Sequence, residues 1–243
     1  MESVVIKPAR IEEAEECQKI YNHASIIGLL GGLTHLDTVK GKIKSSGVTM
    51  WNAFEGNKIV GSVMIAGRNQ CHYAKFGEVG VLPEYRRRRI ATALYTAILC
   101  QGIMEGRRLW EDTIVGDNPF QFATLPTIGL EHWAILKMKT ASFKDIHLFG
   151  YNLDFEKFKK TLDRVPEYIK IIVKEDYYSA DLWNKNQEIY LKKNEAFIKE
   201  LAKCKEYMLS CGKVQVEQGE IKCPHNKNKN IQQTGISDFV QEG

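Results

Sequence analysis

The most constraining stretch of this chain runs from Gly77 to Tyr95. A β-rich segment ends at Pro83, a polar corner follows, four consecutive arginines (Arg86 to Arg89) come next, and a helical pattern then begins. A strand that delivers the chain to a helix N-terminus creates a site for an anion. The first amides of a helix lack internal partners, and the aligned peptide dipoles favour negative charge there. The rest of the chain reads as support for that junction or as an addition to it.

Upstream, Val4 to Lys7 alternates and predicts a first strand ended by Pro8, and Ile11 to Ile20 carries apolar residues at helical spacing. Ser25 to Thr34, with three glycines, predicts a break, and a short helix is expected at about Asp37 to Ser45, closed by Gly47. Val48 to Phe54 and Ile59 to Ala66 predict strands around a Glu55-Gly56-Asn57-Lys58 hairpin turn, with Ala74 to Leu82 as the third of the set. The helix Arg88 to Gly102 follows, then strands at Leu109 to Val115, Leu130 to Met138 and Asp145 to Tyr151, with a short helix cut by Pro126 between the first two. Helices interrupting a mostly sequential sheet predict an α/β layer structure.

After Asp154 the pattern changes. Phe155 to Leu162 and Glu167 to Val173 read as helical pieces separated by Pro166, and Ala180 to Cys211 as a long helix with Trp183, Tyr190, Phe197 and Cys204 seven apart. That spacing fits either a stripe packed on the domain or a seam for a homodimer. Val214 to Ile221 has strand character, and the Lys-, Asn- and Gln-rich stretch from Cys223 onward reads as a flexible tail. The expected division is 1–151, a helical appendage at 152–222, and a tail at 223–243. The absence of a long apolar run argues against a membrane span, and six cysteines without a secretory start fit a cytoplasmic protein with reduced thiols.

The order of elements and the central stretch resemble the GNAT superfamily of acyl-CoA N-acyltransferases. The family signature is V-x-P-x-Y, then Arg or Gln, two residues, Gly, one residue, and Gly or Ala. Val81-Leu82-Pro83-Glu84-Tyr85-Arg86-Arg87-Arg88-Arg89-Ile90-Ala91 fits it except that Arg89 stands at the glycine. Asp117-Asn118-Pro119 and Ile128-Gly129-Leu130 resemble the family's second region. The resemblance covers about residues 1 to 151 and implies a mixed, mostly antiparallel GNAT sheet flanked by helices, with a C-terminal helical extension beyond it.

It also implies acetyl-CoA, or another short acyl-CoA, as co-substrate. Amides from Arg87 to Ala91, with Thr92 next in the helix, would cradle the pyrophosphate, and Arg86, Arg87, Arg88 and Arg89 would add charge-assisted contacts. Backbone groups of Val79 and Val81 would pair with the pantetheine arm, Gly80 suggests a bulge that opens the slot, and Asn118 would bond the arm from the far side. Transfer to an amine acceptor (small molecule, protein or nucleic acid) needs a base and a polarised thioester. Glu78 is the first candidate, with Glu111 and Asp112 on the next strand, of which only one can face the cleft. His35, His72 and His132 are weaker candidates. The tyrosine that reprotonates the CoA thiolate in many members is missing from Phe122 to Thr127.

Two other readings compete. Arg86 to Arg89, Arg107, Arg108 and the tail lysines could hold nucleic acid as a modifying enzyme or binding module, and the C-terminal helices could serve a non-catalytic interaction protein. Cys204, Cys211, Cys223 and His225 do not match a common zinc spacing.

Overall fold

In the computed structural model, residues 2–23, 35–44, 50–67, 73–116, 119–137, 144–175 and 194–218 are described. Strand β1 (Val4–Pro8) leads through a 3-10 turn (Ile11–Glu13) to helix α1 (Ala14–Asn22), and α2 (Leu36–Lys44) follows. Then come β2 (Met50–Glu55), β3 (Lys58–Gly67), β4 (Tyr73–Val81), the central helix α3 (Ile90–Met104) and β5 (Leu109–Val115). The short helix α4 (Pro119–Thr124) precedes β6 (Glu131–Leu136) and β7 (Ile146–Asn152). Helix α5 (Phe155–Asp163), β8 (Ile169–Glu175), helix α6 (Glu195–Ser210) and β9 (Val214–Gln218) complete the described chain.

The strands form one sheet in the order β6-β7-β5-β4-β3-β2-β1-β8-β9. Neighbours are antiparallel except β4/β5, β1/β8 and β8/β9, which are parallel. This is the mixed, helix-flanked sheet that the sequence predicts. Helices α1 and α2 cover one face through Ala14, Cys17, Ile20, Tyr21 and Val39, and α3 covers the other. No helix among the described residues is long and apolar enough to cross a membrane.

Helix α3 explains why the chain continues past residue 151. Its sequence is apolar all the way round, and every residue from Ile90 to Ile103 except Ala91 is buried. A helix without a polar face must be covered on both sides. One side lies on the sheet, where the Trp110 indole approaches so closely that a Cβ on Gly102 would sit 2.6 Å from it. The other receives α5 and α6, whose Phe158, Leu162, Phe197, Leu201, Cys204 and Met208 join the same core. The stripe on α6 is thus consumed within the monomer; Trp183 and Tyr190 lie outside the described residues. Gln101, buried in α3, donates to the Lys174 carbonyl at 3.0 Å and accepts its amide at 2.9 Å. It thereby satisfies part of β8 beyond the three residues that pair with β1.

Glu167 to Val173, expected to be helical, is a correction. Ile169–Glu175 is strand β8, with Ile169, Ile171 and Val173 buried and the intervening residues less so. Among its described residues, the 152–222 segment therefore contributes two strands to the sheet as well as two helices. Lys213, 7% exposed, stitches it together by donating to the carbonyls of Leu162, Asp163 and Val165 at the end of α5. Cys204 is a wholly buried thiol, and Cys211 donates to the Met208 carbonyl, so neither points toward a shared ligand. Cys223 and His225 lie outside the described residues.

Candidate active site

Strands β4 and β5 pair over only three positions, Tyr73 with Leu109, Ala74 with Trp110, and Lys75 with Glu111. Beyond Lys75 and Glu111 the two parallel strands separate, and the second half of β4 has β3 on one side only. The cause is local. Val63 pairs with Val79 but Ile65 pairs with Phe76, so β4 carries an extra residue around Gly77 and Glu78. Such a bulge bends and twists its strand away from a neighbour. Ser62 and Gly80 pair regularly, so the bulge expected at Gly80 lies two to three residues earlier.

The Leu82 amide bonds the Val60 carbonyl at 3.0 Å. Because backbone groups alternate sides along an antiparallel ladder, Gly80 faces β3, while Val79 and Val81 turn their amides and carbonyls toward the fork. Their side chains pack against the α3 core. Arg86 Nε donates to the Val81 carbonyl at 3.2 Å, which commits that arginine to the mouth of the fork.

The junction to α3 is unusual in its backbone. Arg87 and Arg89 have φ of +61° and +59°, the positive-φ non-glycine residues among those described. This supplies the physical meaning of the family glycine at position 89. The site requires a left-handed residue, and a side chain with a β-carbon there costs on the order of 1–2 kcal/mol. Both side chains are exposed. Arg89 is the N-cap of α3 without a side-chain cap, so the first amides of a fifteen-residue helix remain open. Arg88 points elsewhere: its Nη2 lies 2.6 Å from Glu55 Oε1. Of the four arginines, Arg87 and Arg89 are the exposed ones, and they lie at this helix start.

Two carboxyls flank the fork on opposite faces of the sheet. Glu78 is on the α1/α2 side, where its charge is felt at Tyr21 and Lys42 lies near it. Burial pushes its carboxyl above the usual range, offset by a backbone hydrogen bond and by Lys42. Its Oε2 is buried without a hydrogen-bond partner, an arrangement that an incoming N–H would relieve. Asp112, the first β5 residue past the last β4 pair, is on the α3 side and only 2% exposed. Its Oδ1 accepts the Thr113 amide at 2.7 Å and its Oδ2 the Tyr95 hydroxyl at 3.3 Å. Burial raises its carboxyl to about 7. Tyr95 also stands edge-on to Phe76, ring centroids 5.1 Å apart, so Phe76, Tyr95 and Asp112 close the apex of the fork on that face.

Glu111 points to the opposite face from Asp112 and lies 3.7 Å from Lys75, its cross-strand neighbour. Tyr95 is the hydroxyl that sequence reasoning missed. Helical spacing marks it as a core residue, and nothing in sequence ties it to Asp112. His132 stacks beside His147 and Phe149 at the sheet's far edge, away from the fork. Asn118 and His72 lie outside the described residues. Gly129 has φ of +84° and ends the turn after α4, consistent with its place in the second region. Arg107, considered above for phosphate binding, is wholly buried and bonded to Glu105 at 2.7 Å, so it cannot reach a nucleic acid.

The comparisons with known proteins agree with this geometry. Residues 17–118 match the model of the Acetyltransferase (GNAT) family. Over that segment the chain is similar to a GNAT acetyltransferase domain. Among solved structures, a GNAT acetyltransferase from Streptococcus pneumoniae aligns with a TM-score of 0.53 at 16% identity, over 61% of this chain and 98% of its own. The ribosomal-protein-S18-alanine N-acetyltransferase of Escherichia coli aligns at 0.52 and 12% identity, over 61% of this chain and 93% of its own. The NatC complex bound to Gag peptide and CoA contains a chain aligning at 0.53 and 14% identity, over 62% of this chain and 99% of that one. At these identities the likeness concerns the fold. No curated protein matches the chain. These structures cover about three-fifths of the chain, so the GNAT-like part is followed by a substantial further segment.

Proposed function

We propose that this protein is an N-acetyltransferase that moves the acetyl group of acetyl-CoA to an amine acceptor by direct attack on the thioester. The observation that carries this reading is the fork between β4 and β5, with Val79 and Val81 presenting backbone groups along it and the uncapped start of α3 at its mouth. An extended amide-bearing arm can pair with the exposed strand edge while its pyrophosphate meets the free helix amides. Arg87 and Arg89 add charge at that end, beside the amides of Ile90, Ala91 and Thr92. Asn118 is assigned to the far side of the arm by the family resemblance.

The two carboxyls divide the proton traffic. Glu78, with its unpartnered oxygen, takes the proton from the attacking amine. A C–N bond forms as the C–S bond breaks, and the departing thiolate takes a proton from the Asp112 carboxyl, which Tyr95 holds at the apex. Both groups reset with solvent, so no proton is gained or lost beyond those of amine and thiol. Asp112 thus takes the role left open by the missing tyrosine, while Glu111 serves its ion pair with Lys75.

Calorimetric titration with acetyl-CoA is the direct test, followed by thiol release in the presence of primary amines. Binding below about 1 mM, the usual upper range for an enzyme's substrate, is expected. No heat at that concentration overturns the reading.

A further inference from the structure

We propose that Tyr168 and Glu55 are positioning residues that hold Arg88 from two sides and so lock the Arg87–Arg89 turn in its anion-binding shape. The inference rests on the acetyltransferase reading above and goes beyond it by giving the C-terminal addition a task at the donor site.

The contacts converge on one residue between the two left-handed arginines. The Arg88 carbonyl accepts the Tyr168 hydroxyl at 2.8 Å. The Arg88 guanidinium meets Glu55 at 2.6 Å, with the two side chains 20% and 14% exposed. The same guanidinium lies 5.5 Å from the Tyr85 ring centre and 6.0 Å from that of Tyr168. Main chain and side chain of Arg88 are therefore held by different elements.

Both holders are anchored. Glu55 ends β2, directly across from Val4 of β1. Tyr168 precedes β8, and its carbonyl accepts the Val4 amide at 2.9 Å. The two ties thus spring from the strands on either side of β1 and close over the loop from there. A left-handed residue other than glycine persists only when its surroundings determine its conformation. Arg89, the N-cap, has no side-chain cap to do this; the fixed residue between the two left-handed arginines does. Tyr168 lies outside the residues that match the family model. Where a glycine would adopt the turn unaided, this chain uses an arginine and a brace supplied by its own extra strand.

The test is a double-mutant cycle of Tyr168→Phe and Arg89→Gly, read by CoA titration, steady-state kinetics and ligand-free thermal unfolding. Loss of one hydrogen bond of ordinary strength predicts a rise of about 3- to 10-fold in Kd for CoA. The loss should appear in KM for acetyl-CoA with kcat little changed. In the Arg89→Gly background the same substitution should change Kd by less than about 2-fold, because glycine takes the left-handed conformation freely. Glu55→Gln should show the same dependence on background. Equal losses in both backgrounds, or no loss in either, overturn the proposal. If the wild-type chain binds no CoA, the acetyltransferase reading fails, and ligand-free unfolding decides the brace separately. Non-additive shifts in Tm then support it, and additive shifts overturn it.

Discussion

The two flanks of the fork solve different problems with the same functional group. On the β4 flank, Glu78 sits beside an open strand edge, with one oxygen buried and unpartnered. On the β5 flank, Asp112 has both oxygens bonded, by Thr113 and Tyr95, and is almost fully enclosed. An unsatisfied acceptor is poised to receive a donor that arrives with substrate. A deeply buried one is poised to stay protonated, because burial outweighs the two donors that favour its charged form. The contrast teaches that environment, rather than residue type or distance along the chain, separates the proposed base from the proposed acid.

The largest effect should come from removing the acceptor on the β4 flank. Glu78→Gln keeps the shape of the side chain and loses its basicity, so kcat should fall by about 100-fold or more, the usual contribution of a positioned base. Kd for CoA, measured by calorimetry, should change little, because the proposed donor contacts lie farther along β4 and at α3. An unchanged kcat would move the base elsewhere.

Next in size is the pH dependence of the β5 flank. Burial lifts Asp112 from 3.8 to about 7 in the folded chain. The folded state then binds a proton that the unfolded state has already released, so this contribution is complete below pH 4 and is lost as pH rises through 7. At about 1.4 kcal/mol per unit, the total is on the order of 4 kcal/mol. Asp112→Asn should therefore flatten the decline in stability between pH 4 and 7 seen in denaturant titrations. It should also slow thiol release, and a decline as steep as the wild type's would show that Asp112 is ionised throughout.

Tyr95→Phe sharpens the same contrast at smaller amplitude. The hydroxyl bond favours the charged form of Asp112, as its direction on the carboxyl shows. Removing it should push the Asp112 titration higher and lower stability by about 1 kcal/mol at neutral pH, measured by chemical unfolding. A downward shift in that titration would contradict the assignment of Tyr95 as donor.

How much of this was legible in the sequence follows from what each feature depends on. The β4–loop–α3 junction could be read because its signals are contiguous: Val81, Pro83, Tyr85 and the arginines lie within a few residues of one another. The conformational demand at Arg89 was hidden, since a glycine can be selected for close approach or for positive φ, and only the backbone angle separates the two. Strand β8 carried its signal in part, in the alternation of buried Ile169, Ile171 and Val173 with Lys170, Ile172 and Lys174. A helical reading of Glu167 to Val173 fails because the strand's partner β1 is some 165 residues away in the chain. Tyr95 and Asp112 are joined only by the packing of α3 on β5, and Tyr168 meets Arg88 across 80 residues of chain. No local pattern encodes such meetings.

Glu111 sets the lower bound on the comparison. It adjoins Asp112 in sequence, yet strand alternation sends it to the other face, where it pairs with Lys75 at 3.7 Å. Both side chains are partly exposed, so the pair contributes between nothing and about 1 kcal/mol. Glu111→Gln should accordingly leave kcat within about 2-fold and stability within about 1 kcal/mol, checked by the same thiol-release assay and chemical unfolding. The carboxylate is already engaged by a lysine and lacks the buried, unpartnered oxygen that distinguishes Glu78. A large fall in kcat for Glu111→Gln beside a small one for Glu78→Gln would reverse the roles on the α1/α2 face and make the cross-strand pair, not the bulge residue, the part of the sheet that receives the amine proton.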